Sequence, residues 1–335
     1  MKEFYRRKKI LVTGGTGSLG RVLIKKLKGW DCTLIVYSRD EGKQALFFGN
    51  DSSVIRVIGD VRDLDKLDTT MQRYQPHYVI HTGALKRIDD MEFFPDECVK
   101  TNVIGSENVA TAALRNNVGK CILISTDKAC QPVNVYGATK FVAERIFTNF
   151  DYNSKYTIYS SVRYGNVIGS RGSFIPLWLS QIEANQNIRV TSIECSRFLF
   201  TLEDAVDTVL GALKYSEGGE IFVPKITSYT MQTIINALKI ITGYNVTYEI
   251  SGMRPGEKFH EDILAETEVA FTRDVNSKLL VVLPQYTNRK HSFNRKYSGN
   301  KLNSALKLNS DSKHLASLII KGLNPHYVKN KDNLL

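Results

Sequence analysis

The sequence predicts an α/β protein with a doubly wound parallel sheet and a smaller, interleaved second lobe. In the first half of the chain, short and nearly continuous apolar runs alternate with amphipathic helical stretches. Strands of that kind are buried on both faces, as in a parallel sheet that helices cover. A glycine-rich turn between the first run and the first helix supports the same class, because doubly wound folds open with such a turn.

Five strands are predicted in the first half of the chain, each of them a short apolar run. In order they are Lys9–Thr13, Thr33–Tyr37, Val54–Ile58, Tyr78–Ile80 and Cys121–Ser125. Helices are predicted between them, at Leu19–Leu27 after the first strand and around Glu107–Arg115 before the fifth. This alternation indicates helices on both faces of one sheet.

The pattern changes from about residue 168. Prolines and glycines interrupt short strands and helices such as Leu202–Tyr215 and Met231–Thr242. Beyond about residue 288 the sequence is polar and basic, with one apolar helix at Leu315–Ile320. We therefore expect a sheet domain at 1–167, a smaller and partly interleaved lobe at 168–288, and a basic C-terminal extension at 289–335.

The composition favours a folded protein that stays in the cytoplasm. Hydrophobic residues make up 42% and charged residues 24% of the 335 residues, which is ordinary for a globular chain. No apolar run reaches the roughly 18 residues that span a bilayer, and the start lacks the apolar stretch of a signal peptide. The net charge of +11 would suit nucleic acid, yet the basic residues are scattered, so neither a nucleic-acid partner nor a membrane is expected. The five cysteines and six histidines show no ligand spacing, so no metal is expected.

The glycine-rich turn after the first strand reads Gly14-Gly15-Thr16-Gly17-Ser18-Leu19-Gly20. Gly14, Gly17 and Gly20 lie between a strand and a helix, which is the context that makes a glycine triplet specific. Glycine lets the backbone turn sharply and approach a pyrophosphate, and the helix N-terminus attracts the negative charge of the phosphates. The motif therefore predicts a Rossmann fold that binds a nicotinamide dinucleotide.

The end of the second strand distinguishes between the two nicotinamide cofactors. Folds that bind NAD place an acidic residue there for the ribose hydroxyls, whereas Ser38 and Arg39 suit a 2′-phosphate. Asp40 follows directly, so NADP is expected and NAD stays possible. Asp60 is expected beside the adenine, although an ordinary helix cap would also explain it. The predicted cofactor-binding residues are Gly14, Thr16, Gly17, Ser18, Leu19, Gly20, Ser38, Arg39, Lys43, Asp60, Val61, Ala84, Lys86, Tyr136 and Lys140.

A strand end that carries hydroxyls and a Tyr-x-x-x-Lys pattern form the predicted catalytic segment. Thr126 follows the fifth strand, and Tyr136 and Lys140 share one face of the next helix because they stand four residues apart. The ammonium of Lys140 would lower the pKa of the Tyr136 phenol, which could then act as a base toward a substrate hydroxyl. Thr126 is expected to hydrogen-bond the reacting oxygen.

These segments together resemble the extended, nucleotide-sugar branch of the short-chain dehydrogenase/reductase superfamily. The likeness rests on residues 14–20 and on residues 125–140, which read STDKACQPVNVYGATK. Within that branch, Thr126-Asp127-Lys128 ahead of Tyr136 resembles the inverting UDP-N-acetylglucosamine 4,6-dehydratases. Further matches are Arg163–Val167, Ser170–Ser173, Glu220–Lys225 and Arg254–Lys258, and the likeness covers roughly residues 8–285.

The resemblance implies that Asp127 and Lys128 carry out a dehydration. Oxidation of C4 of the sugar acidifies the proton on C5. Lys128 is expected to remove that proton as a base, and Asp127 to assist departure of the C6 hydroxyl as an acid. A surface salt bridge at the strand end is the alternative for this pair. Tyr136 in a short chain without a membrane segment resembles the members that invert C5, since the long, membrane-attached members carry methionine there.

The smaller lobe is expected to bind the substrate, UDP-N-acetylglucosamine. By the same resemblance, Arg254 would hold the diphosphate and Glu257 the ribose. The predicted substrate-binding residues are Lys86, Asn166, Ser173, Arg197, Arg254 and Glu257. A structural salt bridge with Glu203 or Asp204 would equally explain Arg197. A homo-oligomer is expected.

Two other functions remain open at this point. A UDP-sugar 4-epimerase or ketoreductase would use the same fold but would leave Asp127 and Lys128 without a task. A non-enzymatic dinucleotide-sensing protein, which the net charge would allow to associate with nucleic acid, would not need the Tyr136 and Lys140 pair that this chain retains.

Overall fold

The computed structural model describes residues 1–49 and 51–323. Within these residues, a sheet of nine strands forms the centre of the fold. Its strands are β1 (Lys9–Thr13), β2 (Thr33–Ser38), β3 (Val54–Ile58), β4 (Tyr78–His81), β5 (Lys120–Ile124), β6 (Ile158–Val162), β10 (Ile221–Pro224), β14 (Thr272–Asp274) and β15 (Leu279–Val282). The predicted fold class, a doubly wound α/β protein, is confirmed.

The strand order in this sheet is β14-β15-β10-β6-β5-β4-β1-β2-β3. Every pairing from β3 across to β10 is parallel, and β15 and β14 then add antiparallel pairings at one edge. The order reverses between β1 and β4. Ligands of doubly wound folds bind in the crevice beyond the carboxyl ends of the strands at such a reversal.

Helices cover both faces of the sheet. They are α1 (Lys2–Tyr5), α2 (Ser18–Lys28), α3 (Glu41–Phe48), α4 (Leu64–Tyr74), α5 (Ile88–Phe93), α6 (Pro95–Val99), α7 (Gly105–Arg115), α8 (Val135–Asn153) and α10 (Leu202–Tyr215), with a π-helix at Lys100–Ile104 and a 3-10 turn at Asp127–Ala129. Alternate side chains of β1 divide between two cores, with Ile10 and Val12 against α2 and α10 and Leu11 against α4, α7 and α8. This is the two-sided burial that the apolar strands predict.

The smaller lobe is built from short strands and four helices among the described residues. Its strands are β7 (Asn166–Val167), β8 (Ile188–Val190), β9 (Ser196–Phe200), β11 (Ser228–Thr230), β12 (Tyr248–Ile250), β13 (Asp262–Leu264) and β16 (Leu302–Asn303), and its helices are α9 (Phe174–Glu183), α11 (Met231–Thr242), α12 (Glu266–Val269) and α13 (Ser312–Gly322). Apolar side chains of α9, α11 and α13 share one separate core. The predicted C-terminal helix is thus present as part of α13.

The chain passes repeatedly between the lobe and the sheet. Residues 202–224 and 272–282 follow the predicted boundary at residue 168, yet α10, β10, β14 and β15 belong to the sheet layer. β16 pairs with β13, so residues beyond 288 pack into the lobe. The division at residues 168 and 289 stays a prediction. Elements that follow each boundary pack with the part of the chain before it. The last part of the extension, 324–335, lies outside the described residues. No described helix has the length and apolarity that crossing a bilayer requires.

Candidate active site

The glycine turn between β1 and α2 folds too tightly for a side chain at two of its positions. Gly14 has a φ of +65°, and a Cβ there would lie 2.8 Å from the Cα of Gly83. A Cβ on Gly20 would lie 2.6 Å from the Cα of Gly15. Gly17 donates its N–H to the carbonyl of Gly14 over 2.8 Å and directly precedes α2. The turn therefore presents bare backbone and a helix N-terminus, which suits a pyrophosphate.

A cavity of about 300 Å³ opens beside this turn, at the carboxyl ends of β1 to β4. Most of the predicted cofactor residues line it: Gly14, Thr16, Gly17, Ser38, Arg39, Lys43, Asp60, Val61 and Ala84. The other predicted ones lie outside its wall as far as the chain is described: Ser18, Leu19, Gly20, Lys86, Tyr136 and Lys140. Thr101 and Arg171 also face the cavity, and neither is among the predicted cofactor residues.

The guanidinium of Arg39, just after β2, makes only a distant contact with a carboxylate. Asp60 accepts hydrogen bonds from Arg62 through its backbone N–H, Nε and Nη2, at 3.0, 3.0 and 2.8 Å. Arg39 lies farther from the same carboxylate, with Nη1 3.6 Å from Oδ2. Burial would raise the pKa of Asp60, but the hydrogen bonds from Arg62 and then the charge of Arg39 lower it. Ser38 Oγ accepts from Gln44 Nε2 at 2.9 Å, which leaves its own proton free to donate.

Three cations lie close together near the glycine turn. Arg171 donates its N–H to Ser18 Oγ at 3.0 Å and its Nη2 to the carbonyl of Thr16 at 3.4 Å. Burial and then the charge of Arg171 lower the pKa of both Arg21 and Lys86. None of the three cations forms a salt bridge within the part of the chain that the structure describes. Unpaired cations at a glycine turn and a helix N-terminus favour an anionic ligand.

The predicted catalytic residues gather beyond the carboxyl end of β5. Thr126 Oγ1 donates to Asp127 Oδ1 at 2.9 Å, and Lys128 Nζ donates to the same oxygen at 3.1 Å. The Lys128 ammonium also lies 3.5 Å from Glu261 Oε1. The side chains of Asp127, Lys128 and Glu261 are 1%, 14% and 4% exposed. The alternative of a surface salt bridge for Asp127 and Lys128 is therefore wrong.

Tyr136 stands in the first turn of α8, where Asn134 caps the helix by accepting the N–H of Gly137 at 2.7 Å. Burial raises the pKa of the Tyr136 phenol to about 12, while the charge of Lys128 and a hydrogen bond with Thr126 oppose the rise. Lys128 is therefore the ammonium that most lowers the phenol pKa. Burial lowers the pKa of Lys140 to about 8, although the charges of Glu144 and Cys98 oppose this. The expectation that Lys140 lowers the phenol pKa stays a prediction.

Two carboxylates favour the charged form of Lys128. Burial works against its charge, yet Asp127 and then Glu261 raise its pKa well above the usual value, and Arg197 only partly offsets them. A base must be able to lose its proton at the working pH. Lys128 would have to lose this proton before it could act as the expected base, and the division with Lys128 as base and Asp127 as acid stays a prediction.

A buried network of ion pairs and hydrogen bonds lies next to the cluster of predicted catalytic residues. Ser125 Oγ donates to Glu144 Oε1 at 2.5 Å, and Arg163 Nη2 donates to Glu144 Oε2 at 2.7 Å. Arg163 Nη1 also donates to Glu268 Oε2 at 2.9 Å. These contacts join β5, α8 and β6 to the segment around β13, which carries Glu261. The catalytic strand end and the smaller lobe are thus connected through charged side chains.

The predicted substrate residues of the lobe form a second cluster. Arg197 Nη2 donates to Glu257 Oε1 at 2.7 Å, so the partner of Arg197 is neither Glu203 nor Asp204. Arg254 Nε donates to Glu257 Oε2 at 3.1 Å, and its Nη1 reaches Asp89 Oδ2 at 3.1 Å. The Oδ1 of Asn166 and the Oγ of Ser173 are buried without a hydrogen-bond partner among the described residues.

The sequence matches a family described as "Polysaccharide biosynthesis protein" over residues 10–282, which include the cofactor turn, the catalytic segment and most of the lobe. The chain belongs to this family. The resemblance to the extended short-chain dehydrogenases/reductases is confirmed, because the nine-stranded sheet, the glycine turn and the Tyr-x-x-x-Lys segment fall within the match.

Relatives of this chain include proteins that are named for two different reactions. A Campylobacter jejuni protein named "UDP-N-acetylglucosamine 4,6-dehydratase (inverting)" is 41% identical over 278 residues, 80% of each chain. A Rickettsia bellii protein named "UDP-glucose 4-epimerase" is 37% identical over 283 residues, 81% of each chain. The X-ray structure of Pen from Bacillus thuringiensis has a TM-score of 0.87 at 31% identity, and the match covers 95% of this chain and 98% of that one.

Sequence reasoning missed two charged residues of the site. Arg171 lies inside the matching segment Ser170–Ser173, but nothing in its spacing indicates that it reaches back to the glycine turn. Glu261 stands four residues after Glu257, and only the fold brings it to Lys128.

Proposed function

We propose that this chain is an NADP-dependent UDP-N-acetylglucosamine 4,6-dehydratase that inverts C5 and yields a UDP-4-keto-6-deoxy-N-acetylhexosamine for glycan biosynthesis. The observation that carries the proposal is the buried cluster of Thr126, Asp127, Lys128 and Tyr136 beyond β5. Dehydration needs an acid and a base at C5 and C6 in addition to the base at C4. The name of the Campylobacter jejuni relative supports this choice of reaction and substrate.

The residues present fit a nicotinamide dinucleotide. A backbone turn without room for Cβ atoms would hold the pyrophosphate, and Arg171 and Lys86 would offset its charge. A bound nicotinamide would supply the oxidant for C4 and the reductant for C6. Arg39 favours NADP, because its guanidinium makes only a 3.6 Å contact with Asp60 and can bond a 2′-phosphate.

Tyr136 would accept the proton of the C4 hydroxyl while Thr126 orients that oxygen. The pKa of the phenol is about 12 even with the charge of Lys128 beside it, so the phenol holds its proton at neutral pH unless further positive charge lowers that pKa. Asp127 and Lys128 would then take the C5 proton and protonate the departing C6 oxygen. Both groups are buried, so neither proton is lost to bulk water during the step.

The second cluster is well placed to hold the nucleotide end of the substrate. Arg254 is about half exposed and could exchange its contact with Asp89 for a diphosphate oxygen. Glu257 is held by Arg197 and Arg254, so its position is fixed for the ribose hydroxyls. Asn166 and Ser173 offer buried polar atoms that a ligand could satisfy.

The test is incubation of the protein with UDP-N-acetylglucosamine, followed by proton NMR of the product. A new C6 methyl doublet is expected, with a C5 coupling that reports the inverted configuration. The Rickettsia bellii relative supports a 4-epimerase as the second candidate. An epimerase would produce the C4 epimer without a methyl signal and would contradict the dehydratase proposal.

A further inference from the structure

The crossing segment, residues 168–173, connects β7 to α9 and contacts both sides of the crevice where the strand order reverses. On the β1 side, Arg171 donates its backbone N–H to Ser18 Oγ at 3.0 Å. On the β4 side, Lys86 Nζ donates to Ser170 Oγ at 3.5 Å. The crossing segment therefore spans the crevice in which doubly wound folds bind their ligands.

The start of the crossing segment is packed firmly into the smaller lobe. Ile168 is 1% exposed and belongs to the core that α9, α11 and α13 share. Gly169 has a φ of +72°, and a Cβ there would lie 2.3 Å from the carbonyl oxygen of Gly322 at the end of α13. The segment is thus fixed to the lobe at its start, while Arg171 joins its middle to the glycine turn of the sheet domain.

Arg171 lacks an anionic partner at this contact. Its guanidinium forms no salt bridge within the described chain, and its one hydrogen bond there, from Nη2 to the carbonyl of Thr16, spans 3.4 Å. Asp40 is an acidic group on which its charge also acts, but that carboxylate pairs with Lys43. The side chain is exposed. Arg171 is therefore free to bind an anion at the glycine turn.

Two more cations lie near this guanidinium. Burial, and then the charge of Arg171, lower the pKa of both Arg21 and Lys86. Arg21 lies over the ring of Phe47, with its Cζ 4.3 Å from the ring centroid, and its Nε has no hydrogen-bond partner among the described residues. Because like charges repel, the contact of the crossing segment with the glycine turn is disfavoured until an anion lies among the three cations.

Two predicted substrate residues flank Arg171 in the same stretch of chain. Asn166 lies in β7, five residues before it, and Ser173 follows it by two. Asn166 Oδ1 and Ser173 Oγ are buried without a hydrogen-bond partner in the part of the chain that the structure describes. The N–H of Ser173 donates to the carbonyl of Ser170 at 3.1 Å, and the N–H of Ser170 donates to the carbonyl of Val167 at 3.2 Å. Backbone hydrogen bonds therefore join the turn at Arg171 to both neighbours.

We propose, on the basis of the dehydratase function above, that Arg171 is a positioning residue that couples binding of the dinucleotide to binding of the sugar nucleotide. The diphosphate of a bound dinucleotide would replace repulsion among the three cations by attraction. This holds the crossing segment against the glycine turn and fixes Asn166 and Ser173 for the substrate. A ligand that binds one position of the segment better shifts the chain toward that position, and the second ligand then binds more tightly.

The experiment is a calorimetric cycle on the nucleotide-free full chain with UDP, which carries the diphosphate of the substrate but no sugar to react. The Kd of UDP is measured without and with saturating NADP, and the Kd of NADP without and with saturating UDP. In wild type we expect each ligand to tighten the other by the same factor, about 5-fold to about 150-fold, because coupling is reciprocal. In Arg171→Gln the factor should fall below about twofold, since the anion no longer acts on the segment.

Three comparisons separate the charge of Arg171 from other effects. Arg171→Lys keeps the charge and should retain a larger factor than Arg171→Gln; equal factors would exclude charge as the cause. Arg189→Gln makes the same change at an exposed arginine of β8 and should keep the wild-type factor, and loss of coupling there would contradict the assignment to Arg171. NAD has the same diphosphate and should couple as NADP does. Coupling with NADP alone would assign Arg171 to the 2′-phosphate and overturn the proposal.

The remaining outcomes distinguish the coupling from the function on which it rests. Independent binding of UDP and NADP to wild type, or an unchanged factor in Arg171→Gln, would overturn the coupling. Failure of wild type to bind either UDP or NADP would instead overturn the function proposed above. A loss of fold in Arg171→Gln would weaken both ligands without altering the ratio of the two Kd values for UDP, so the ratio reports the coupling itself.

Discussion

Replacement of Lys128 by methionine should slow the oxidation of C4 as well as the elimination. The charge of Lys128 is the strongest influence that lowers the pKa of Tyr136, which burial has raised to about 12. Without that charge the phenol pKa rises further. Less phenolate is then present at any given pH, so the first chemical step is impaired together with the second.

The size of the effect follows from the pKa. A neighbouring opposite charge shifts a pKa by about 1–3 units, and each unit changes the phenolate fraction about tenfold, or by about 1.4 kcal/mol. Lys128→Met should therefore slow C4 oxidation by about 10-fold to about 1,000-fold near neutral pH. The loss should diminish as the pH rises toward the new phenol pKa.

The assay is single-turnover absorbance of the reduced nicotinamide after mixing with substrate. Asp127→Asn provides the contrast, because the charge of Asp127 raises the Tyr136 pKa and its removal lowers it. That variant should still reduce the cofactor while forming no 6-deoxy sugar. Cofactor reduction at the wild-type rate in Lys128→Met would refute the assignment of Lys128 as the ammonium that acts on Tyr136.

Three further changes test other parts of the site. Tyr136→Phe should lower turnover by about 10²–10⁴-fold, the usual contribution of a general acid or base, with little change in substrate affinity by calorimetry; near-normal turnover would mean that the phenol only packs. Arg39→Ala should weaken NADP binding by about 1.5–3 kcal/mol, as for a hydrogen bond to a charged group, and equal losses for NADP and NAD in a titration would contradict the cofactor preference. Arg163→Met should lower the free energy of unfolding by about 3–5 kcal/mol, because it leaves Glu144 buried without its cation; a loss below about 1 kcal/mol in urea unfolding would show that Glu144 finds another partner.

Local patterns predicted the sheet and the cofactor turn well. A few neighbouring residues are enough to recognise the apolar runs of β1 to β5 and the spacing of Gly14, Gly17 and Gly20. The short helices between Ile88 and Ile104 were missed, because no regular apolar repeat marks them. A homo-oligomer, independence of metals and a cytoplasmic location stay predictions.

The features of the site that the sequence did not predict depend on contacts between distant segments of the chain. The Tyr-x-x-x-Lys spacing correctly placed Tyr136 and Lys140 on one helix, but it could not show that Lys128 has the stronger effect on the phenol. Glu261 reaches Lys128 across 133 positions of sequence only because β13 packs beside the turn that holds Lys128. A side chain's charge state depends on such neighbours, so the sequence alone does not decide which of Asp127 and Lys128 acts as the acid.

The repeated passage of the chain between lobe and sheet has a consequence for dividing the protein into fragments. A fragment that ends at residue 167 would lack β10, the strand that pairs with β6 in the intact sheet. The open edge of β6 would then present unpaired backbone groups flanked by apolar side chains, which is a template for association with other chains. We expect such a fragment to aggregate rather than to bind dinucleotide as a soluble unit, and the cofactor half of this protein to depend on its C-terminal half for a closed sheet.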